Sequence, residues 1–209
     1  RFSPAFWRVH EIVESREVGA PLNVFNEYTP GPWGPNAPWR LDPAKNPGVF
    51  NEKLCHIVDL FRFWMEDEIT QVQAFRGLNS VPWYPPEIAD NVLGVYRFRR
   101  GGLGILVHNH VTAADAQGME GQVNVLSWTP GADMFPFKQA GHSQRCVVIC
   151  DRGTVICDIW GKTVVVNERV GTDEMRVKRV EDFREWCMLE LSHDMVGEVL
   201  DFIHRFENG

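Results

Sequence analysis

The feature that most constrains the fold is a run of short, strand-like segments between Ile69 and Arg179, each bounded by turn residues. Eight segments have the length and composition of strands: 69–75, 91–99, 103–112, 122–128, 146–150, 154–160, 163–168 and 175–179. Short glycine-containing connections at 100–102, 151–153 and 161–162 favour antiparallel neighbours. The pattern therefore predicts one large, predominantly antiparallel sheet.

Helical patterns lie before and after this run of strands. Ser3 followed by Pro4 is typical of a helix start, and the apolar stripe behind it predicts a helix over 3–14. Similar periodicity predicts helices over 49–65 and 181–206. Segment 21–28 has strand composition, whereas six prolines in 29–47 predict irregular structure. Helices outside a block of strands indicate an α+β fold with the helices on one face of the sheet.

The face of the predicted sheet without helices also lacks the polar side chains that are typical of a face exposed to water. Consecutive apolar residues at 147–149 and 164–166 place apolar side chains on both faces of these strands. We therefore expect a second domain or a second copy of the chain to cover the face without helices, which predicts a homo-oligomer. The alternative is that these strands are simply central in the sheet.

Composition excludes several classes of protein. A chain of 209 residues that is 44% hydrophobic can bury a core in one domain, residues 1–209. A formal net charge of −7 argues against a nucleic-acid surface, and no apolar run reaches the roughly 18 residues that a membrane span needs. The five cysteines are odd in number and lie in apolar surroundings, which favours buried thiols in a reducing, cytoplasmic compartment.

No metal site is expected from the histidines and cysteines. Cys146 and Cys150 share one strand face, but no compact set of further ligands accompanies them and His142. His108 and His110 also share a face without a third ligand in register, so packing or a surface pair is the expected role of these two histidines.

The candidate catalytic residues lie on the predicted helix 49–65. Glu52, His56 and Asp59 stand at positions i, i+4 and i+7, which project from one side of an α-helix. Imidazole titrates nearest neutrality, and a carboxylate one turn away can fix its tautomer. The column is therefore expected to move a proton, with His56 as acid or base and Glu52 as its orienter. The alternative is a purely structural column.

Four residues are candidates for substrate contacts. Trp39 can stack on the apolar face of a ring in a ligand, and Arg40 offers a planar fork of donors to hydroxyl groups or a carboxylate. Asp59 is expected to brace His56 or bind a hydroxyl, with an ion pair to Arg62 or Arg8 as the alternative. His193 is a further candidate.

An ordered set of motifs resembles the C-terminal domain of the Gfo/Idh/MocA (glucose-fructose oxidoreductase / inositol dehydrogenase) family. The set comprises the opening Arg-Phe-Ser-Pro-Ala-Phe, Trp39-Arg40, Pro47-Gly48, the Glu52/His56/Asp59 column, the Gly-Gly-Leu-Gly of 101–104 and Gly153-Thr154. The resemblance implies an NAD- or NADP-dependent oxidoreductase that acts on a secondary hydroxyl of a sugar or polyol. It makes His56 the proton-exchanging histidine and puts Glu52 where the family most often has aspartate.

The sequence contains no strand followed by a Gly-x-Gly-x-x-Gly turn and a helix, so no residue is assigned to cofactor binding. We therefore expect a fragment of a longer two-domain enzyme, whose cofactor is bound mainly by a Rossmann domain outside this chain. Two alternatives remain open: a non-catalytic dimerisation or binding module, and a glycosidase, lyase or isomerase of the same family that uses transient oxidation.

Overall fold

The structure, a computed structural model, describes residues 1–30, 32, 38–46, 48–110, 143–158, 163–183, 199 and 201–206. Its helical elements are α1 (Pro4–Glu14), a 3₁₀ turn (Pro38–Leu41), a π-helical turn (Phe50–Leu54) that continues into α2 (Cys55–Met65), and residues 201–206. Its strands are β1 (Pro21–Thr29), β2 (Ile69–Arg76), β3 (Asn91–Phe98), β4 (Leu103–Asn109), β5 (Ser143–Cys150), β6 (Gly153–Asp158), β7 (Thr163–Val170) and β8 (Glu174–Asp182).

The eight strands form one sheet in the order β2-β3-β4-β1-β5-β6-β7-β8. All neighbours are antiparallel except β1 and β4, which run parallel. The prediction of a large, predominantly antiparallel sheet is confirmed. Because β1 and β4 run parallel, their carboxyl ends meet at one edge, where Tyr28 of β1 lies beside His108 of β4.

The helices α1 and α2 pack on one face of this sheet, as the sequence predicts. The apolar stripe of α1 is buried, and Ser3 adopts the extended conformation of a residue that precedes a helix. On α2, Phe61 lies so close to Gly104 that a Cβ at this glycine would stand 3.0 Å from its ring. The buried Trp64 indole donates a 3.0 Å hydrogen bond to the carbonyl of Phe6, which ties the two helices together.

Several predicted elements differ from the structure in their ends or in their type. The first turn of the predicted helix 49–65 is π-helical, since Phe50–Leu54 has the wider turn. Residues 181 and 182, predicted as helix, belong to β8, where Glu181 pairs in register with Val164. The strand predicted over 103–112 ends at Asn109. The predicted strand 122–128 and most of the predicted last helix lie outside the described residues.

The second face of the sheet carries apolar side chains at alternate positions. Leu103 and Ile105 of β4 are 44% and 40% exposed, and Ile149 of β5 is 39% exposed. We call this the open face, since neither α1 nor α2 packs on it. Within the described ranges, none of the helices has both the length and the apolar character needed to cross a membrane.

Candidate functional site

The core of the candidate site is an ion pair between the 3₁₀ turn and the π-helical turn. Arg40 Nη2 lies 2.9 Å from Glu52 Oε1, and Lys53 Nζ lies 3.5 Å from the same oxygen. The Glu52 side chain is only 10% exposed, and its second oxygen, Oε2, is buried without a hydrogen-bond partner. Two cations therefore neutralise one oxygen of this carboxylate, and the other oxygen keeps its capacity to accept a hydrogen bond.

Asn46 fixes the two turns relative to each other. Its side-chain amide donates a 2.7 Å hydrogen bond to the carbonyl of Arg40, and its Oδ1 accepts a 3.0 Å bond from the backbone N–H of Gly48. Gly48 has a φ of 110°, a conformation that residues with a Cβ rarely adopt. The buried Asn46 and the glycine thus hold Arg40 in place opposite the helix start.

His56 lies one turn beyond Glu52, at the start of α2, and its side chain is exposed. It forms no hydrogen bond or ion pair with another described residue, so the predicted contact in which Glu52 orients His56 is absent. The reason is that Glu52 is engaged by Arg40 and Lys53 instead. An exposed imidazole can exchange a proton with a bound molecule, which a histidine enclosed in apolar packing could not do.

The two residues predicted to bind substrate from the loop lie together beside Glu52. Trp39 is 46% exposed, and the guanidinium of Arg40 lies 5.3 Å from the centroid of its ring. This is the geometry of a cation–π contact. It leaves an aromatic face next to a fork of N–H donors, which suits a ligand with both apolar C–H groups and hydroxyl groups.

Beneath the helix start, the sheet contributes buried polar side chains. The rings of Tyr28 and His108 are 5.3 Å apart, and Tyr84 Oη shares a 2.9 Å hydrogen bond with His110 Nδ1. Burial, with smaller effects of His110 and Lys53, lowers the pKa of His108 to about 3. Burial and the Glu52 carboxylate raise the pKa of Tyr28. His108 and His110 are fully buried, so the expectation of packing is confirmed and that of a surface pair is wrong.

Asp59 does not brace His56. Arg1 contacts both of its carboxylate oxygens at 2.6 and 2.5 Å, and this hydrogen-bonded pair lowers the pKa of Asp59. Arg62 lies 4.0 Å away, as the alternative prediction allowed, whereas Arg8 pairs with other carboxylates. The predicted role of Asp59 at the site therefore has no supporting contact. His193 lies outside the described residues.

Neither a metal nor a dinucleotide fits the described residues. They contain no group of three or more metal-binding side chains. Cys146, Cys150 and Cys157 are buried free thiols whose pKa is raised by burial, and Cys55 is exposed. The glycines at 101 and 102 form the tight turn between β3 and β4, where no helix N-terminus is available to hold a pyrophosphate.

A recess of about 410 Å³ lies at the far end of α2, away from Glu52. It is lined chiefly by charged side chains, among them Arg62, Glu66 and Arg99. The chemistry of this recess is that of a solvated surface with balanced charge. We therefore place the candidate site at the N-terminal end of the helix, where the buried carboxylate and the exposed imidazole lie.

Residues 6–156 match the family model of the GFO/IDH/MocA C-terminal domain. The chain belongs to this family. The match covers α1 to β6, and so includes every described element of the candidate site. The resemblance to the Gfo/Idh/MocA family is thereby confirmed. No curated protein matches the sequence.

Solved structures share the fold of this GFO/IDH/MocA domain at low sequence identity. A levoglucosan dehydrogenase in complex with NADH has a TM-score of 0.62 at 16% identity, over 87% of this chain and 44% of that chain. An inositol dehydrogenase homolog from Azotobacter vinelandii, complexed with NAD⁺, has a TM-score of 0.59 at 17% identity, over 82% of this chain and 40% of that chain. An oxidoreductase domain protein from Kribbella flavida has a TM-score of 0.58 at 19% identity, over 85% of this chain and 44% of that chain. The chain spans less than half the length of each of these three structures.

Sequence reasoning missed several residues of the site in this GFO/IDH/MocA domain. Lys53 was not among the candidate residues, although it lies against Glu52 and acts electrostatically on His108. Tyr28 and Gln144 were not considered. A usable signal existed. Each of the two is a polar residue on the same face of its strand as buried residues two positions away, so its side chain is expected to point toward the core.

Proposed function

We propose that this domain is the substrate-binding and catalytic half of an NAD- or NADP-dependent oxidoreductase that acts on a secondary hydroxyl of a sugar or polyol. One observation carries the proposal: an exposed imidazole, His56, lies one helical turn from a nearly buried carboxylate, Glu52, which is held by Arg40. Membership of an oxidoreductase family and the low-identity dehydrogenase neighbours support it.

Each side chain has a role in this proposal. His56 takes the proton of the substrate hydroxyl, because it is exposed beside Glu52 and imidazole is the side chain suited to proton exchange near neutrality. The unpartnered Oε2 of Glu52 accepts a hydrogen bond from a hydroxyl and so orients the substrate. Arg40 donates to a neighbouring hydroxyl, and the exposed ring of Trp39 packs against the C–H face of the sugar.

NAD or NADP would supply the hydride acceptor for this reaction. The described residues offer no cradle for its phosphates, so we propose that another domain of the same polypeptide binds it. Two facts support this: the structural neighbours are more than twice as long as the aligned part, and two of them were solved with NAD⁺ or NADH. We place the protein in the reducing environment of the cytoplasm, since three of its cysteines are buried free thiols.

The test is the substitution His56→Asn in the full-length protein. A panel of polyols and aldoses is first screened with the wild-type protein for reduction of NAD or NADP. With the best substrate, His56→Asn should lower kcat by about 10²- to 10⁴-fold, because general acid–base catalysis contributes that much. Since His56 is exposed, the urea midpoint of unfolding should not change. His204→Asn, at an exposed position in 201–206, is the matched control. Unchanged kcat in His56→Asn would refute the assignment.

We also propose that the open face joins two copies of the chain. Its exposed Leu103, Ile105 and Ile149 support this, because isolated proteins seldom leave an apolar sheet face in water. A non-catalytic dimerisation module would use the same face, so the interface alone does not separate the two functions. Ile105→Lys with Ile149→Lys should convert the oligomer to monomers in light scattering after size exclusion. A wild-type protein that is already monomeric would contradict the proposal.

A further inference from the structure

A row of polar side chains crosses three neighbouring strands on the face that the helices cover. His108 of β4 pairs in register with Tyr28 of β1, and Tyr28 pairs in register with Gln144 of β5. Their exposed fractions are 0%, 9% and 6%. Every other residue on one face of a strand is adjacent in space, so Leu106, Asn26 and Cys146 are the next residues inward on β4, β1 and β5, and all three are buried. The three polar side chains therefore form a polar floor near the ends of these strands, and Asn26 extends it inward on β1.

The row contains polar atoms that lack hydrogen-bond partners although they are buried. Both ring nitrogens of His108 and the side-chain nitrogen of Gln144 have none, and Oε2 of Glu52 above them has none. Buried polar groups in folded proteins nearly always have partners, and a missing partner weakens the fold. Leu or Met at position 108 would avoid this penalty. A ligand that carries hydrogen-bonding groups would find partners in such a cluster of buried polar atoms beside a candidate site.

Tyr28, in the middle of the row, belongs to β1, the strand on which α2 packs. The charges of Glu52 and Arg40 act on Tyr28, and the charge of Lys53 acts on His108. Lys53 is 31% exposed, and its ion pair with Glu52 is long, at 3.5 Å. Lys53 thus combines contact with solvent and an electrostatic effect on His108, and its ion pair with Glu52 is too long to hold it tightly.

Taking the proposed function as the starting point, we propose that His108 and Gln144 are specificity-determining residues that bind uncharged hydroxyl groups on the part of the sugar or polyol remote from His56. A neutral imidazole offers one N–H donor and one nitrogen acceptor, and the amide of Gln144 offers donors. A hydroxyl group can donate and accept, so it satisfies both. A carboxylate or phosphate would set its negative charge against the unprotonated nitrogen of His108, and burial keeps that nitrogen unprotonated at neutral pH.

The experiment uses the full-length protein and the variants His108→Leu and Gln144→Leu, with Leu106→Met as the control on the same face of β4. Binding of myo-inositol, D-glucose and D-glucuronate is measured by calorimetry, and unfolding is followed in urea. Both variants should weaken binding of the neutral ligand by about tenfold or more, because a hydroxyl group of the bound ligand is left without its hydrogen-bond partner. Neither should lower the urea midpoint, and His108→Leu should raise it. Leu106→Met should change neither binding nor the midpoint.

The outcomes separate this inference from the proposed function. A His108→Leu variant with unchanged binding would overturn the inference, and so would a lower urea midpoint, since the ring nitrogens would then have structural partners. Tighter binding of D-glucuronate than of the neutral ligands would overturn the assignment to uncharged hydroxyls. If the wild-type protein binds a polyol but does not use it to reduce NAD or NADP, the proposed redox function is refuted. The binding data for the variants would still decide whether His108 and Gln144 contact the ligand.

Discussion

The substitution Glu52→Gln tests the central contact of the site. Glutamine keeps the shape of the side chain and removes its charge, so the change isolates the interaction with Arg40 and Lys53. Removing one partner from a fully buried ion pair costs about 3–5 kcal/mol, whereas an exposed pair contributes about 0–1 kcal/mol. Glu52 is 10% exposed and both cations are 31% exposed, so an intermediate loss of about 2 kcal/mol in the free energy of unfolding is expected.

The assay for this prediction is urea unfolding of the full-length protein, with Glu11→Gln as the matched control. Glu11 also pairs with an arginine, Arg8 at 2.8 Å, but its side chain is 46% exposed. The control should therefore lose at most about 0.5 kcal/mol. For Glu52→Gln, about 2 kcal/mol corresponds to a fall in Tm of about 4–8 °C in a domain of this size. Equal losses in the two variants would refute the argument that burial makes the Glu52 pair stronger.

Three further predictions concern the fold. Trp64→Phe removes the hydrogen bond to the buried carbonyl of Phe6 and should cost about 1–3 kcal/mol in urea unfolding; no loss would mean that this bond is replaced. Gly104→Ala places a Cβ against Phe61 and should cost about 1–3 kcal/mol, whereas unchanged stability would show that α2 can shift. Arg179 lowers the pKa of Glu17 to about 2 from 4.5, so this pair stabilises the fold fully above pH 4.5 and is lost as the pH falls toward 2. Glu17→Gln should flatten the acid-unfolding curve in that window, and an unaltered curve would contradict the pairing.

The sequence predicted where the helices and strands lie better than it predicted which strands pair in the sheet. The Ser3-Pro4 start and apolar stripe define α1, and glycine turns define the β3–β4 and β5–β6 hairpins, because these signals are local. The parallel contact of β1 with β4 joins segments about 80 residues apart. No local pattern encodes it, so it could not be read from the sequence.

The candidate site was predicted in part, for the same reason. His56, Glu52, Arg40 and Trp39 were identified, and the structure brings the last three together. Helical spacing suggested that Glu52 would meet His56, but spacing does not reveal the competing guanidinium from the loop. The row through His108 and Gln144 depends on strand register across the sheet, and register is set by tertiary pairing.

The position of β1 in the sheet has a consequence for how the chain acquires its structure. Strands β2 to β4 form one meander of local hairpins and β5 to β8 form another, and β1 alone joins the two by pairing with β4 and β5. It does so with partners about 80 and about 120 residues later in the chain, which is the kind of non-local closure that makes folding slow. The two meanders can therefore form early, while the polar floor beneath Glu52 forms only when β1, the first of the eight strands in chain order, is captured between them.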